Sequence, residues 1–123
     1  MTDIKKKKDI KPPVFDAADF LERIDGDVDL LKEVLEIFLE DTPRLLADLF
    51  AAIRRGDADA VERAAHTLKG ATANISAKRL HALSQQVQQA VKNEGVDSLE
   101  PWIGRFAENY DKLTWELKKY LRS

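Results

Sequence analysis

Apolar residues recur at three- and four-residue spacing along most of this chain, the period of helices that bury one face. A first short segment can be capped by Asp16 and runs to about Ile24, with Phe20, Leu21 and Ile24 on its apolar side. Gly26-Asp27 breaks it. From about Val28 to Arg55 a long amphipathic helix follows, with Leu31, Val34, Leu35, Phe38, Leu45, Leu49 and Ile53 in register. Pro43 falls inside that helix, so a kink is expected near Asp41-Thr42, with either residue capping the restarted half. Gly56-Asp57 closes the helix and caps the next, roughly Ala58 to Asn74. Another spans about Ala77 to Lys92, inward through Leu80, Leu83, Val87, Ala90 and Val91. After the turn Asn93-Glu94-Gly95 the last helix runs from about Val96 to Leu121, with Pro101 in its first turns. No segment alternates as a strand would. The fold expected is all-α, an antiparallel four-helix bundle with a short additional N-terminal helix.

One helix carries an unusual outer face. Val61, Ala65, Leu68, Thr72 and Ile75 form its inward stripe, with Ala64 and Ala71 beside it. At the helical turn angle His66 points roughly 150° away from the centre of that stripe. Glu62, Arg63, Lys69, Gly70 and Ala73 share its side, because positions three, four and seven apart are neighbours on a helix. Gly70 costs about 1 kcal/mol relative to Ala in a helix interior, so something must offset it. Removing a side chain one turn after His66 opens the ring to a bulky reactant. The alternative, a glycine that only permits close helix packing, fits poorly with its outward direction.

The run Ala65-His66-Thr67-Leu68-Lys69-Gly70-Ala71, followed by Asn74-Ile75-Ser76-Ala77 and Leu80, resembles the core motif of histidine-containing phosphotransfer (HPt) domains. Phe15-Asp16, Phe20-Leu21, Arg23, Gly26-Asp27, Leu30-Leu31 and Phe38-Leu39-Glu40-Asp41-Thr42-Pro43 are similar to that family's lead-in helix and long first bundle helix. Gly56-Asp57 resembles its turn into the histidine helix, so the likeness spans roughly residues 14 to 94. The resemblance implies that His66 accepts a phosphoryl group on Nε2 from an aspartyl phosphate. It implies that Lys69 neutralises the charge on the transferring oxygens. Gln88 matches the glutamine that often bonds the histidine region from the following helix, and Arg63 either helps or only steers the partner. An ordinary imidazole is in good part neutral near pH 7, as such an attack needs.

What the resemblance implies further is a carrier rather than an enzyme. The partner would be a receiver domain of a response regulator or hybrid histidine kinase. That receiver would supply the Mg²⁺ and the acidic pocket, with no cofactor or metal of the carrier's own. The chain is either free-standing or a piece of a hybrid sensor whose parent would be a histidine kinase. Two departures stand out. Ser76 occupies a place where many members have Gly, and it is expected to cap the next helix by accepting from the backbone near Lys78 or Arg79. The Glu common midway along that helix is replaced by Ser84-Gln85-Gln86.

Composition narrows the field. At 123 residues the chain is long enough for one core, and with no cysteine it has neither disulfides nor thiol chemistry. No apolar run approaches the roughly 20 residues of a membrane span. A formal net charge of −2 argues against a nucleic-acid binder. Residues 1–13 hold a lysine run, Lys5-Lys6-Lys7-Lys8, and end in Pro12-Pro13; they read as a flexible leader or linker, with the helical domain over 14–123. A soluble, cytoplasmic monomer is the expectation. No glycine-rich nucleotide loop or nucleophile elbow is present. The competing class is a plain helical interaction or scaffold module with His66 incidental; a scaffold has no need of His, Lys and Gly together on one open face. A metal-binding bundle lacks inward Glu and His pairs, and His81, the other histidine, reads as a surface residue.

Overall fold

Capping residues set the helix boundaries. In the computed structural model, which describes residues 11–122, α1 (Ala17–Arg23) starts at Asp16, whose carboxylate accepts from the Asp19 N–H at 3.1 Å. Asp27 does the same for α2 (Val28–Arg54), accepting from Leu30 at 3.0 Å, and Asp57 for α3 (Ala58–Asn74), accepting from Ala60 at 3.1 Å. A single 3₁₀ turn, Val96–Ser98, separates α4 (Lys78–Glu94) from α5 (Glu100–Arg122). The last helix was expected from Val96 onward. Pro101 has no N–H to continue such a helix, so the chain makes the 3₁₀ turn and restarts with proline in the first α-turn.

The four long helices close into a ring: α3 packs between α2 and α4, and α5 completes it against α2 and α4. Their inner faces bury Leu35, Leu49, Val61, Leu68, Val87, Phe106, Leu113 and Leu117, all but inaccessible. Three hydroxyls also lie at the centre, those of Thr42, Thr72 and Ser84. Each donates to the carbonyl one turn back, on Phe38, Leu68 and Leu80, so no buried side-chain polar atom among the described residues is orphaned. Thr42 therefore does not cap a restarted helix. α2 runs unbroken past Pro43, and Thr42 turns its hydroxyl back to Phe38 instead. No helix among the described residues is long and apolar enough to cross a membrane.

Helices α1 to α3 end alike: the N–H two residues past the C-cap returns to the third-last helical carbonyl. This geometry needs a left-handed residue, supplied by Asp25 (φ 55°), Gly56 (φ 70°) and Ser76 (φ 60°). Ser76 thus adopts the conformation that glycine would favour and does not cap α4, whose N-cap is Ala77. Its hydroxyl is committed elsewhere. It donates to Asp19 Oδ2 at 2.6 Å and accepts from Arg23 Nη2 at 2.6 Å. The same guanidinium nitrogen donates to the Ala73 and Asn74 carbonyls at 3.0 and 3.2 Å, covering the C-terminus of α3. The Pro13 carbonyl takes the Arg79 N–H at 3.0 Å, doing at α4 what a capping side chain would. Of the leader expected over residues 1–13, residues 1–10 lie outside the described ones; the Pro12 carbonyl accepts from Arg79 Nε at 2.9 Å.

These contacts fasten α1 across the α3–α4 turn, with Phe20 buried beneath them. Asp16 adds an ion pair with Lys78 at 2.7 Å. That hydrogen bond, followed by the one from the Asp19 N–H, holds the Asp16 carboxyl below its ordinary value and raises Lys78.

Ser76→Ala keeps the left-handed backbone and loses both hydroxyl bonds, so it should cost about 1–3 kcal/mol. Ser76→Gly loses the same bonds but removes a left-handed penalty of about 1–2 kcal/mol, and should be the more stable of the two. Urea midpoints measured in parallel check the order, and a glycine variant weaker than the alanine one contradicts it.

Acid should loosen the same fastening. A carboxyl lowered in the fold contributes stability that is present above its unfolded value and lost as pH falls through its folded value. Asp16→Asn should therefore be less stable at neutral pH and lose less on acidification. Thermal melts from about pH 7 down through the ordinary carboxylate range near 3.9 test this, and parallel curves for the two chains would exclude it.

Candidate functional site

α3 presents the site because its other side is committed to the core. Val61, Ala65, Leu68, Thr72 and Ile75 are each at most 1% exposed, which fixes the helix's rotation. His66 is then exposed, and among the described residues its ring makes no hydrogen bond. Neither ring nitrogen is engaged by another described residue. Upstream, the Ala60 N–H and then the Arg55 guanidinium hold the capping Asp57 carboxyl below its usual value, as befits an acid at a helix N-terminus.

His66 opens onto a shallow groove of about 480 Å³ between α3 and α4, lined also by Asp59, Glu62, Arg63, Thr67 and Gln88. Gln88 is the only α4 residue in that lining. Gln88, 22 residues further along the chain, thus lines the same groove as His66. Glu62, at the α4 side, pairs with Lys92 at 3.2 Å. Asp59 and Thr67 were not singled out from the sequence; Asp59 stands seven residues before His66, a helical spacing that points to the same face.

Lys69 is half-buried one turn further on and does not line this groove. Among the described residues no carboxylate pairs with its ammonium, so its charge is not already neutralised. Arg63 is exposed beside His66 and likewise forms no ion pair among the described residues. A Cβ built on Gly70 would meet nothing within 4 Å. This glycine does not serve close packing. It leaves the outer face of the turn after His66 empty.

His81 departs from the expectation of a plain surface residue. It is half-buried, with Nδ1 3.0 Å from the main-chain oxygen of Lys69. Among the described residues no three His, Asp or Glu side chains gather as a metal site.

Set beside known proteins, the chain matches the family model described as Hpt domain over residues 33–119. Two solved structures share its fold. The HPT domain from a sensor hybrid histidine kinase of Shewanella is 22% identical, covering 89% of this chain and 94% of its own, with a TM-score of 0.76. Histidine-containing phosphotransfer protein B from Pseudomonas aeruginosa is 21% identical, covering 89% and 96%, with a TM-score of 0.81. No curated protein matches the chain.

The open face at Gly70 makes a stability measurement informative. Gly70→Ala gains helix propensity of up to about 1 kcal/mol and meets no obstacle, so the melting temperature should rise. A fall would show that the glycine is required by packing after all.

Proposed function

The chain belongs to the Hpt domain family, whose members serve phosphotransfer in phosphorelays, and from that premise we propose that His66 is the nitrogen that carries the group. The observation that carries this reading is the pairing of an unengaged, exposed imidazole with a helix turn left bare at Gly70. A nucleophile that must meet a partner's phosphorylated side chain needs both an available lone pair and room for the partner's loops.

In the proposed step the Nε2 lone pair attacks the phosphorus of an aspartyl phosphate on a receiver domain. The N–P bond forms as the P–O bond breaks, and that bonding pair leaves with the aspartate carboxylate. The proton on the other ring nitrogen stays on the ring or passes to solvent. The reverse step hands the group on. Charge develops on the equatorial oxygens, and Lys69, one turn from His66 and without an ion pair among the described residues, is read as the cation that meets them. Gln88 borders the same groove from α4 and is read as orienting the imidazole or the bound phosphoryl group. Arg63 is read as steering: a rim charge acts mainly on encounter. The metal and acidic pocket of the reaction are read as the receiver's, and the carrier as a cytoplasmic monomer without kinase activity. Every residue given a role lies on α3 or α4 of a single copy.

Incubation with a phosphorylated receiver domain tests the reading. The chain should take up an acid-labile, base-stable label that His66→Gln abolishes with its melting temperature nearly unchanged, while His81→Gln still takes label. Lys69→Ala should lower the single-turnover rate even at saturating receiver, whereas Arg63→Ala should mainly raise the half-saturating concentration at low salt. Label surviving in His66→Gln would refute the assignment, and a Lys69→Ala effect confined to half-saturation would remove lysine from the chemical step.

A further inference from the structure

His81 takes no part in the chemistry proposed at His66, yet the fold binds it to the same turn. It stands in the first turn of α4, half-buried, and its Nδ1 lies 3.0 Å from the main-chain oxygen of Lys69 on α3. A carbonyl oxygen can only accept, so Nδ1 must carry a proton and donate. That holds for the neutral Nδ1–H tautomer and for the doubly protonated ring, so the bond does not depend on the ring's charge. Among the described residues His81 is the one α4 side chain that bonds the main chain of α3.

The turn it reaches combines two features that loosen a helix. Lys69 is followed by Gly70, which adds backbone freedom and whose side-chain position is open space. The buried Thr72 hydroxyl approaches the Leu68 carbonyl at 2.7 Å and that of Lys69 at 3.1 Å. Back-bonding of this kind weakens and bends helices slightly. A glycine that clears the way for a partner therefore loosens the segment from which Lys69 must reach its target. A donor from the neighbouring helix restores a fixed point.

We propose that His81 is a positioning residue: its Nδ1–H anchors the Lys69 carbonyl and so sets where the Lys69 ammonium stands relative to a phosphoryl group on His66. This rests on the reading of His66 and Lys69 given above. It assigns the two histidines of the chain opposite tasks. One keeps its ring unengaged for chemistry, and the other commits a nitrogen to holding the backbone.

Two measurements test it. In ¹⁵N-labelled protein, the neutral His81 ring should be protonated at Nδ1 and bare at Nε2; a neutral ring protonated at Nε2 overturns the proposal without any variant being made. In single-turnover transfer from a phosphorylated receiver, His81→Ala should lower the maximal rate about two- to tenfold, the rate equivalent of one ordinary hydrogen bond, with half-saturation unchanged. His81→Asn, whose amide nitrogen stands near the place of Nδ1, should recover most of that loss; His81→Gln, whose amide matches Nε2, should not. In a Lys69→Ala background His81→Ala should cause no further loss, because its effect passes through the lysine. Losses that add, or a His81→Ala chain that transfers at the parental rate, overturn it. Failure of the underlying reading looks different: label then persists in His66→Gln, whatever the His81 tautomer.

Discussion

The burial of one stripe of α3 between α2 and α4 is the constraint on which the site depends. Side chains such as Val61, Leu68 and Ile75 each gain about 1.5–3 kcal/mol when removed from water, an upper figure because unfolded chains already bury some surface. Against this, a glycine inside the helix costs about 1 kcal/mol. Packing therefore wins, and α3 stays helical through Gly70 although the residue itself favours a break. Rotation is settled by the same packing. With Ala65 and Thr72 shut inside, His66 has nowhere to point but outward.

A second constraint follows from antiparallel packing. α3 must reverse into α4 within three residues, and the reversal demands a left-handed backbone at Ser76. Serine adopts that conformation at a cost, which the Asp19 and Arg23 bonds to its hydroxyl offset. The short helix α1 thereby becomes part of the turn rather than an appendage. Arg23 simultaneously covers the last carbonyls of the histidine helix, where a cation is favoured by the helix dipole.

The site itself combines openness with restraint. Gly70 leaves a clear approach on the outside of α3, while His81 reaches the Lys69 carbonyl of the same turn from α4. The groove beside His66 mixes charges: Arg63 stands near Asp59, and Glu62 is held by Lys92. Such a surface suits a partner that must bind, react and leave, since paired and solvated charges contribute little net affinity.

Local sequence determined the helices, their caps and the outward direction of His66, because helical periodicity is set by near neighbours. Asp16 and Asp57 cap where the sequence indicated, Asp27 caps α2 at what read only as a break, and the stripe from Val61 to Ile75 is buried as its register required. Pairings between distant residues had no such local signal. Arg23 and Ser76 are 53 residues apart, and nothing near Ser76 in sequence shows that its hydroxyl will be used for a left-handed turn and not for a cap. His81 reads as an outer residue on its own helix, but the neighbouring helix supplies a carbonyl at 3.0 Å. Gln88 was within reach only through family resemblance; the α3–α4 contact is what sets it on the groove of His66. Periodicity specifies which face of each helix turns inward, whereas the choice of which polar groups meet across two helices depends on axial register, and only the packed bundle decides that.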